Sequence, residues 1–371
     1  MFSQTRSHKL EKMGQCSAKI RRRKLKPFNV ILGMPGTGKT KRAKELIQGE
    51  QAIFMAITAA VVNDAPESAN VAMTVAAFLC SNFVPPPNHT IYIDEISMIS
   101  RQTMQKILKR LRNNKLIMTG DQYQIAPITN SDTNDFWFTS EEYTKREKTT
   151  HILNVQHRLT GPECKTVRTL LEEIVANAPQ WKNTLITLIA ENRTKTPPAN
   201  AKKLVFTNKD NTAIAKQWAQ KNNLTLNMHG LCENMPVRIT ANKKHPTIPF
   251  KYTYRNGQTG TLVKFGEGYT QVKDDESGKM LKVDNRGHAK TIPQLKSALA
   301  ETVDSAQGKT IEKEVNVIIN AYLPDPPHII VAATRSKNTS FTVKSMAMLE
   351  AHIRSNAFEF DAQVIEFSKT L

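Results

Sequence analysis

The sequence predicts an α/β protein built of two parallel-sheet domains, with a small antiparallel β-barrel inserted in the second. Three observations predict this. Short apolar runs alternate with helical stripes twice along the 371 residues. The second alternation is interrupted by closely spaced strands bounded by turn residues. A chain of this length holds about two or three domains of ~100–200 residues. Strands that alternate with helices imply parallel sheets with crossover helices.

Composition narrows the class. With 39% hydrophobic and 23% charged residues the chain is that of a folded protein, which excludes a disordered one. The four cysteines, Cys16, Cys80, Cys164 and Cys232, form no CxxC pair. A disulfide framework and a cysteine-based zinc site are therefore not expected, and a reducing compartment is favoured. No apolar run reaches the ~18 residues of a membrane span, so no membrane association and an intracellular location are expected. The 52 Lys+Arg against 33 Asp+Glu leave a net charge of +19, which points to a polyanionic partner.

Residues 1–26 form a basic segment in which Arg6, Lys9, Lys12, Lys19, Arg21, Arg22, Arg23, Lys24 and Lys26 face the single acid Glu11. It reads as a solvated tail, a nuclear import signal or a source of phosphate contacts. Nuclear and cytoplasmic locations both stay open. Residues 27–150 then form the first domain, with strands at Phe28–Leu32, Ile53–Ile57, Thr90–Ile93 and Leu116–Thr119. Met104, Ile107, Leu108 and Leu111 fall at helical spacing between the last two. Residues 151–234 and 291–371 form the second domain. Its helical stripe is Val167, Leu170, Leu171, Ile174 and Val175, and its strands are Leu204–Thr207, Val315–Ile319 and Ile329–Ala333. Residues 235–290 form the barrel, with strands Val237–Thr240, Thr259–Phe265, Tyr269–Lys273 and Lys279–Val283 between turns such as Asn256-Gly257 and Ser277-Gly278.

Gly33-Met34-Pro35-Gly36-Thr37-Gly38-Lys39-Thr40 fits GxxxxGK[ST] between a predicted strand and a helix over Lys39–Gln48. That context makes a P-loop: glycines let backbone N–H groups wrap phosphates at a helix N-terminus. Lys39 is expected on the β/γ-phosphates and the Thr40 hydroxyl on Mg²⁺. Asp94-Glu95, after the Thr90–Ile93 strand and about 55 residues past the P-loop, supplies the acidic partners. Asp94 is expected to hold the Mg²⁺ water shell and Glu95 to take the proton of the attacking water. The P-loop and the Asp-Glu pair define an NTPase and leave its work open, since a small-molecule kinase would share them.

Four further segments decide. They are Thr119-Gly120-Asp121-Gln122-Tyr123-Gln124, then Gln156-His157-Arg158, then Glu301-Thr302 through Asp304-Ser305-Ala306-Gln307-Gly308 to Thr310, and Ala332-Ala333-Thr334-Arg335. In this order and spacing the chain from Phe28 to about Val343 resembles superfamily 1 helicases. Met235–Asn242 with Tyr254–Val263, and Ile292–Leu295 running into Ala300, resemble the 5′→3′ branch that includes RecD and the phage helicase Dda. The resemblance implies two RecA-like domains with ATP between them. Lys39, Thr40, Asp94, Glu95 and the sensor Gln124 would come from the first, and Arg158 and Arg335 from the second as arginine fingers. Gly33, Pro35, Gly36, Thr37, Gly38 and Gly308 would border the nucleotide, and Gln15 would read adenine.

Single-stranded DNA and forked duplex DNA are the implied partners, with the protein acting as a monomer. Thr58, Thr74, Phe78, Asn242, Lys243, Thr302, Ser305 and Thr310 are the implied strand contacts, Phe78 as a stacking platform. The Pro85–Pro87 loop between Phe83 and Asn88 is a candidate strand-separating pin. Two departures stand out: Asp304 occupies a position that is usually His, and Ala126-Pro127 replaces Pro-Pro. The first puts the usual nucleic-acid contact there in doubt. A viral-type RNA helicase, and a nucleic-acid-binding scaffold with a decayed site, are the rival readings.

Overall fold

The computed structural model describes residues 26–58, 61–62, 65–66, 69–111, 114–127, 135–244, 246, 252–287, 290–309 and 311–371. Gln15, Thr310 and the Arg21–Lys24 run lie outside the described residues.

The first sheet is parallel throughout. Its strands are β1 (Phe28–Gly33), β2 (Ala52–Ala56), β3 (Ala69–Thr74), β4 (Thr90–Ile93), β5 (Lys115–Gly120) and β6 (Lys148–Leu153), in the order β3-β2-β4-β5-β1-β6. The strands β1, β2, β4 and β5 are covered on both faces and read in sequence as largely apolar runs. The two edge strands escape sequence reading. Lys148-Thr149-Thr150-His151-Ile152-Leu153 and Ala69-Asn70-Val71-Ala72-Met73-Thr74 stay half-buried or exposed along their length, so no apolar run marks them.

The second parallel sheet opens with β7 (Lys202–Val205), and the chain then leaves it for the insertion. There β8 (Pro236–Ile239) is followed by the short pair β9 (Lys243–Lys244) and β10 (Tyr252–Tyr254), then β11 (Thr259–Phe265), β12 (Tyr269–Asp274), β13 (Met280–Arg286), β14 (Ile292–Pro293) and β15 (Leu295–Ser297). The antiparallel order is β14-β13-β12-β11-β8-β15. Since β14 and β15 are consecutive pieces of one extended segment, pairing with β13 and β8 respectively, that segment joins the two edges and closes the barrel. Thr240 donates to the Gln294 carbonyl (2.9 Å) at the joint. The closing segment therefore lies beyond residue 290, the boundary that turn signals alone suggest. Val237, Ile239, Leu262, Val272, Val283 and Leu295 fill its interior.

The chain then returns through β16 (Glu301–Thr302), β17 (Val315–Ile319) and β18 (Thr339–Val343) to give the order β16-β7-β17-β18. Ile329–Ala333, expected as a strand, instead lies in a helix over Pro326–Ala333: Asp325 caps its first turn and Pro326-Pro327 suit the helix start. The C-terminal helix Ala362–Lys369 carries Phe367, whose ring stacks on Phe138 of the first half at 4.2 Å. Phe360 meets Tyr123 edge-on at 5.4 Å. Both halves share one continuous apolar core. Among the described residues no helix is long and apolar enough to cross a membrane.

Candidate active site

The carboxyl ends of β1, β4 and β5 meet where the P-loop leaves β1, as crevices in open α/β sheets do. Gly36 and Gly38 adopt φ of 84° and 86°, which side-chain-bearing residues rarely reach. A Cβ on Gly36 would also sit 2.8 Å from the Arg158 Cβ. The Thr37 hydroxyl is buried and donates to the Met34 carbonyl (2.8 Å), closing the loop on itself. Lys39, opening the Lys39–Ile47 helix, donates through Nζ to the Gly33 and Met34 carbonyls at 2.7 and 3.1 Å.

At the end of β4, Asp94 accepts from the Glu95 amide at 2.9 Å and from the Thr119 hydroxyl. Glu95 is left-handed at φ 56°, a strained setting for a non-glycine residue, and its Oε2 is buried without a partner. Burial, then the neighbouring Asp94 charge, push the Glu95 carboxyl up to about 7, while Lys39 and Arg335 pull the other way. Burial raises Asp94 and Asp121 as well.

Asp121, after β5, accepts from Gln124 Nε2 at 3.2 Å, and Gln124 Oε1 in turn accepts from Gln307 Nε2 at 3.0 Å. A buried amide pair thus ties the two halves together beside the cleft. Gly308 follows, so close to Glu95 that a Cβ there would stand 3.4 Å from the Glu95 Cγ. Arg335, 2% exposed, donates Nε to the Val331 carbonyl (3.0 Å) and Nη1 to the Lys309 carbonyl (3.2 Å). Burial lowers its guanidinium to about 10, with Glu95 opposing that shift.

Lys39, Thr40, Asp94, Glu95, Gln124, Arg158, Gly308 and Arg335 line one cavity of about 480 Å³, along with Pro35, Gly36 and Gly38. Most positions singled out in sequence for the nucleotide therefore converge; Gly33 and Thr37 do not line the cavity, Thr37 being buried in the loop itself, and Gln15 lies outside the described residues. Arg158 reaches the cavity by an unexpected route. It leaves the first sheet at the end of β6, not the second domain, because a polar edge strand carries no apolar signal to extend that domain so far. Gln156 Nε2 donates to the Pro35 carbonyl (2.6 Å) and the His157 amide to the Gly36 carbonyl (2.9 Å), so this segment lies along the P-loop. Asp121, Gln156, His157 and Gln307 stand inside the motifs, yet the sequence alone attaches no role to any of them.

The strand-contact candidates scatter. Phe78 is fully buried with Arg110 over its ring at 4.5 Å, so it is core and not a stacking platform. Thr74 caps the Val75–Cys80 helix by accepting from the Ala77 amide, and Thr58 accepts from the Val61 amide. Asn242 accepts from the Asn256 amide (2.8 Å), and Lys243 pairs with Asp284 at 2.7 Å. Thr302 bonds Ser305 at 2.8 Å and lines a second cavity, of about 720 Å³, that shares Gln124 with the first. Thr58, Thr74, Asn242 and Lys243 do not line it. Asp304, in place of the usual His, accepts from His328 Nε2 at 3.3 Å, while His328 Nδ1 pairs with Asp325. That carboxylate is thus committed within the protein. Arg110 also donates to the Ser81 and Phe83 carbonyls at 2.5 and 2.7 Å, strapping down the Pro85–Pro87 loop and leaving Val84 at its tip 73% exposed.

Fold and cleft together define a P-loop protein whose two parallel-sheet halves meet at one cleft. The AAA domain family matches residues 20–191. A Pif1 helicase structure from work on DNA unwinding at forked dsDNA by two coordinating Pif1 helicases is similar over 100% of this chain and 97% of its own, with a TM-score of 0.67 and 16% identity. The Pif1 helicase from Bacteroides in complex with ADP-AlF3 and ssDNA gives 0.66, 16% identity and the same coverage. The Pif1 helicase from Candida albicans gives 0.63 and 16% identity over 93% of this chain and 95% of that one. No curated protein sequence matches the chain.

Proposed function

We propose that the chain is an ATP-dependent DNA helicase that tracks along single-stranded DNA, 5′→3′, and excludes the complementary strand. The observation that carries this reading is convergence: Lys39, Glu95, Gln124, Arg158 and Arg335 line a single cavity between elements of both halves. The cavity fits a nucleoside triphosphate. Its glycine turn leaves room for phosphates, the Lys39 ammonium rests on carbonyls it can exchange for phosphate oxygens, and Glu95, whose Oε2 is buried without a partner, lines the same cavity. Thr40 and Asp94 line the cavity and are the residues that would hold Mg²⁺, which would supply neutralising charge to the phosphates.

In this reading Glu95, with its raised carboxyl, accepts the proton of the attacking water. Gln124 positions that water or senses the γ-phosphate. Arg158 and Arg335 neutralise charge on the equatorial oxygens of the transferring group. Because Gln124 is bonded to Gln307 at the junction with the second cavity, loss of the γ-phosphate is transmitted to the Thr302 wall. Grip on a strand there would alternate as the cleft opens and closes. The test is unwinding of paired substrates with a 5′ or a 3′ overhang, with Lys39→Ala as control. ATP-dependent unwinding from the 5′ overhang alone is expected. Unwinding from the 3′ overhang alone contradicts the polarity, and none from either contradicts the helicase.

A further inference from the structure

Tyr92 stands inside β4, 1% exposed, on the face of the first sheet that the Lys39–Ile47 helix covers. Its neighbours there are Ile31, Ala43, Ile47, Phe54 and Ile117, with the Phe54 ring edge-on at 5.1 Å. A phenylalanine would fill that space as well. Burying a phenol in so apolar a wall is favourable only where its hydroxyl finds partners.

Those partners flank the cation site. Tyr92 and Asp94 lie two apart on β4 and so share a face. Ile117 of β5 pairs with Tyr92 in register, which brings Thr119 beside Asp94 on that same face. Thr119 is fully buried; its Oγ1 lies 3.3 Å from the Tyr92 hydroxyl and bonds the Asp94 carboxylate. The Tyr92 hydroxyl is bonded to Thr40 and to Asp94 as well.

Counting protons gives these bonds a direction. Each hydroxyl has one proton to give, and an ionised carboxylate can only accept. Thr119 therefore donates to Asp94, and the Tyr92 proton runs to the same carboxylate, directly or through the Thr119 oxygen. That leaves the phenol oxygen to accept from Thr40. A hydroxyl that ligates a cation does so through its oxygen, so its proton must point elsewhere. Tyr92 supplies the acceptor for it, in a wall that is otherwise apolar.

We propose that Tyr92 is a positioning residue for the cation: its hydroxyl takes the Thr40 proton and steadies the Asp94 carboxylate, so that both ligands meet Mg²⁺ already oriented. Partners of this kind, behind the ligands themselves, typically carry ~10–100-fold in metal affinity. The inference rests on the reading of the cleft as a site for ATP with Mg²⁺.

The test uses Tyr92→Phe, which deletes one oxygen and keeps the ring against Phe54. The probe is mant-AMPPNP, a fluorescent ATP analogue that is not hydrolysed, titrated in EDTA and in saturating Mg²⁺. The ratio of the two Kd values is the gain due to the cation. In Tyr92→Phe, affinity in EDTA should match wild type and thermal melting should stay cooperative, while the gain falls about tenfold. Thr119→Val should lose a similar factor, and Thr119→Ser, which restores the hydroxyl, should keep the gain. An undiminished gain in Tyr92→Phe overturns the proposal, and so does an equal loss with and without Mg²⁺, the mark of packing alone. Wild type shows its full gain in both of those cases, so the reading of Thr40 and Asp94 as cation ligands stands. A wild type whose affinity for the analogue ignores Mg²⁺ removes that reading, and the proposal with it.

Discussion

At the residue scale, Glu95 is the most informative side chain. It is strained, buried, half-unpartnered and held near about 7. A carboxyl raised in the folded enzyme is protonated below that value and cannot act as a base, so ATPase kcat/KM should fall as pH drops through about 7. Glu95→Gln should cost about 10²–10⁴ in kcat, typical of a lost general base, and abolish this limb. A pH–rate profile of both proteins checks it, and an unchanged limb in Glu95→Gln would assign the titration elsewhere. This residue is legible in the sequence because an Asp-Glu pair after an apolar strand has few other uses. Gln307 is not, since its importance lies in an amide reaching across 183 positions to Gln124. Nor does the sequence separate Phe78 as platform from Phe78 as core, since Val75 and Leu79 leave both readings at helical spacing.

At the element scale, two ionic knots hold the second half in register. Glu301 on β16, buried, meets Lys309 and Lys202 from the second sheet and its flank, and Arg238 from β8 of the barrel (2.9 Å). Burial alone would raise its carboxyl, but the three cations hold it below the usual range. Removing it strands those cations, so Glu301→Ala should destabilise by roughly 3–5 kcal/mol in denaturant melts.

The second knot joins the Val303–Ala306 and Pro326–Ala333 helices through Asp304, His328 and Asp325. Burial lowers the His328 ring, but the hydrogen bonds and charges of Asp304 and Asp325 prevail and raise it to about 9. A raised imidazolium stabilises fully below its unfolded value of ~6.5 and loses that contribution as pH rises through about 9. Stability should therefore fall over that window and the fall should vanish in His328→Gln, as thermal melts at about pH 6 and 9.5 would show. Strands buried on both faces are legible from sequence, but the buried Ile329–Ala333 run reads equally as strand or helix. The polar edge strands β3 and β6 are not legible, because tertiary contacts and not apolar periodicity place them.

At the scale of the whole molecule, the chemistry proposed for the cleft requires both halves, and residues of both line it. The Gln124–Gln307 link, the shared core and the return of Phe367 onto Phe138 keep them adjacent. Gln307→Ala should leave unstimulated hydrolysis intact and cut its stimulation by oligo(dT) about tenfold, within the ~1–3 kcal/mol of ordinary site coupling. The two-domain plan is readable in the order of motifs, whereas the crossing C-terminal helix carries none, and Ile292–Leu295 is legible as a motif but not as the segment that closes the barrel.

The most direct test is single-turnover hydrolysis of ATP by Arg335→Ala on saturating single-stranded DNA, with nucleotide affinity measured in parallel. An arginine that stabilises the transferring phosphoryl group is worth about 10³–10⁵ in rate, and a loss of that order with affinity little changed is the predicted result. Hydrolysis at the wild-type rate would place the second half outside the chemistry and contradict the account.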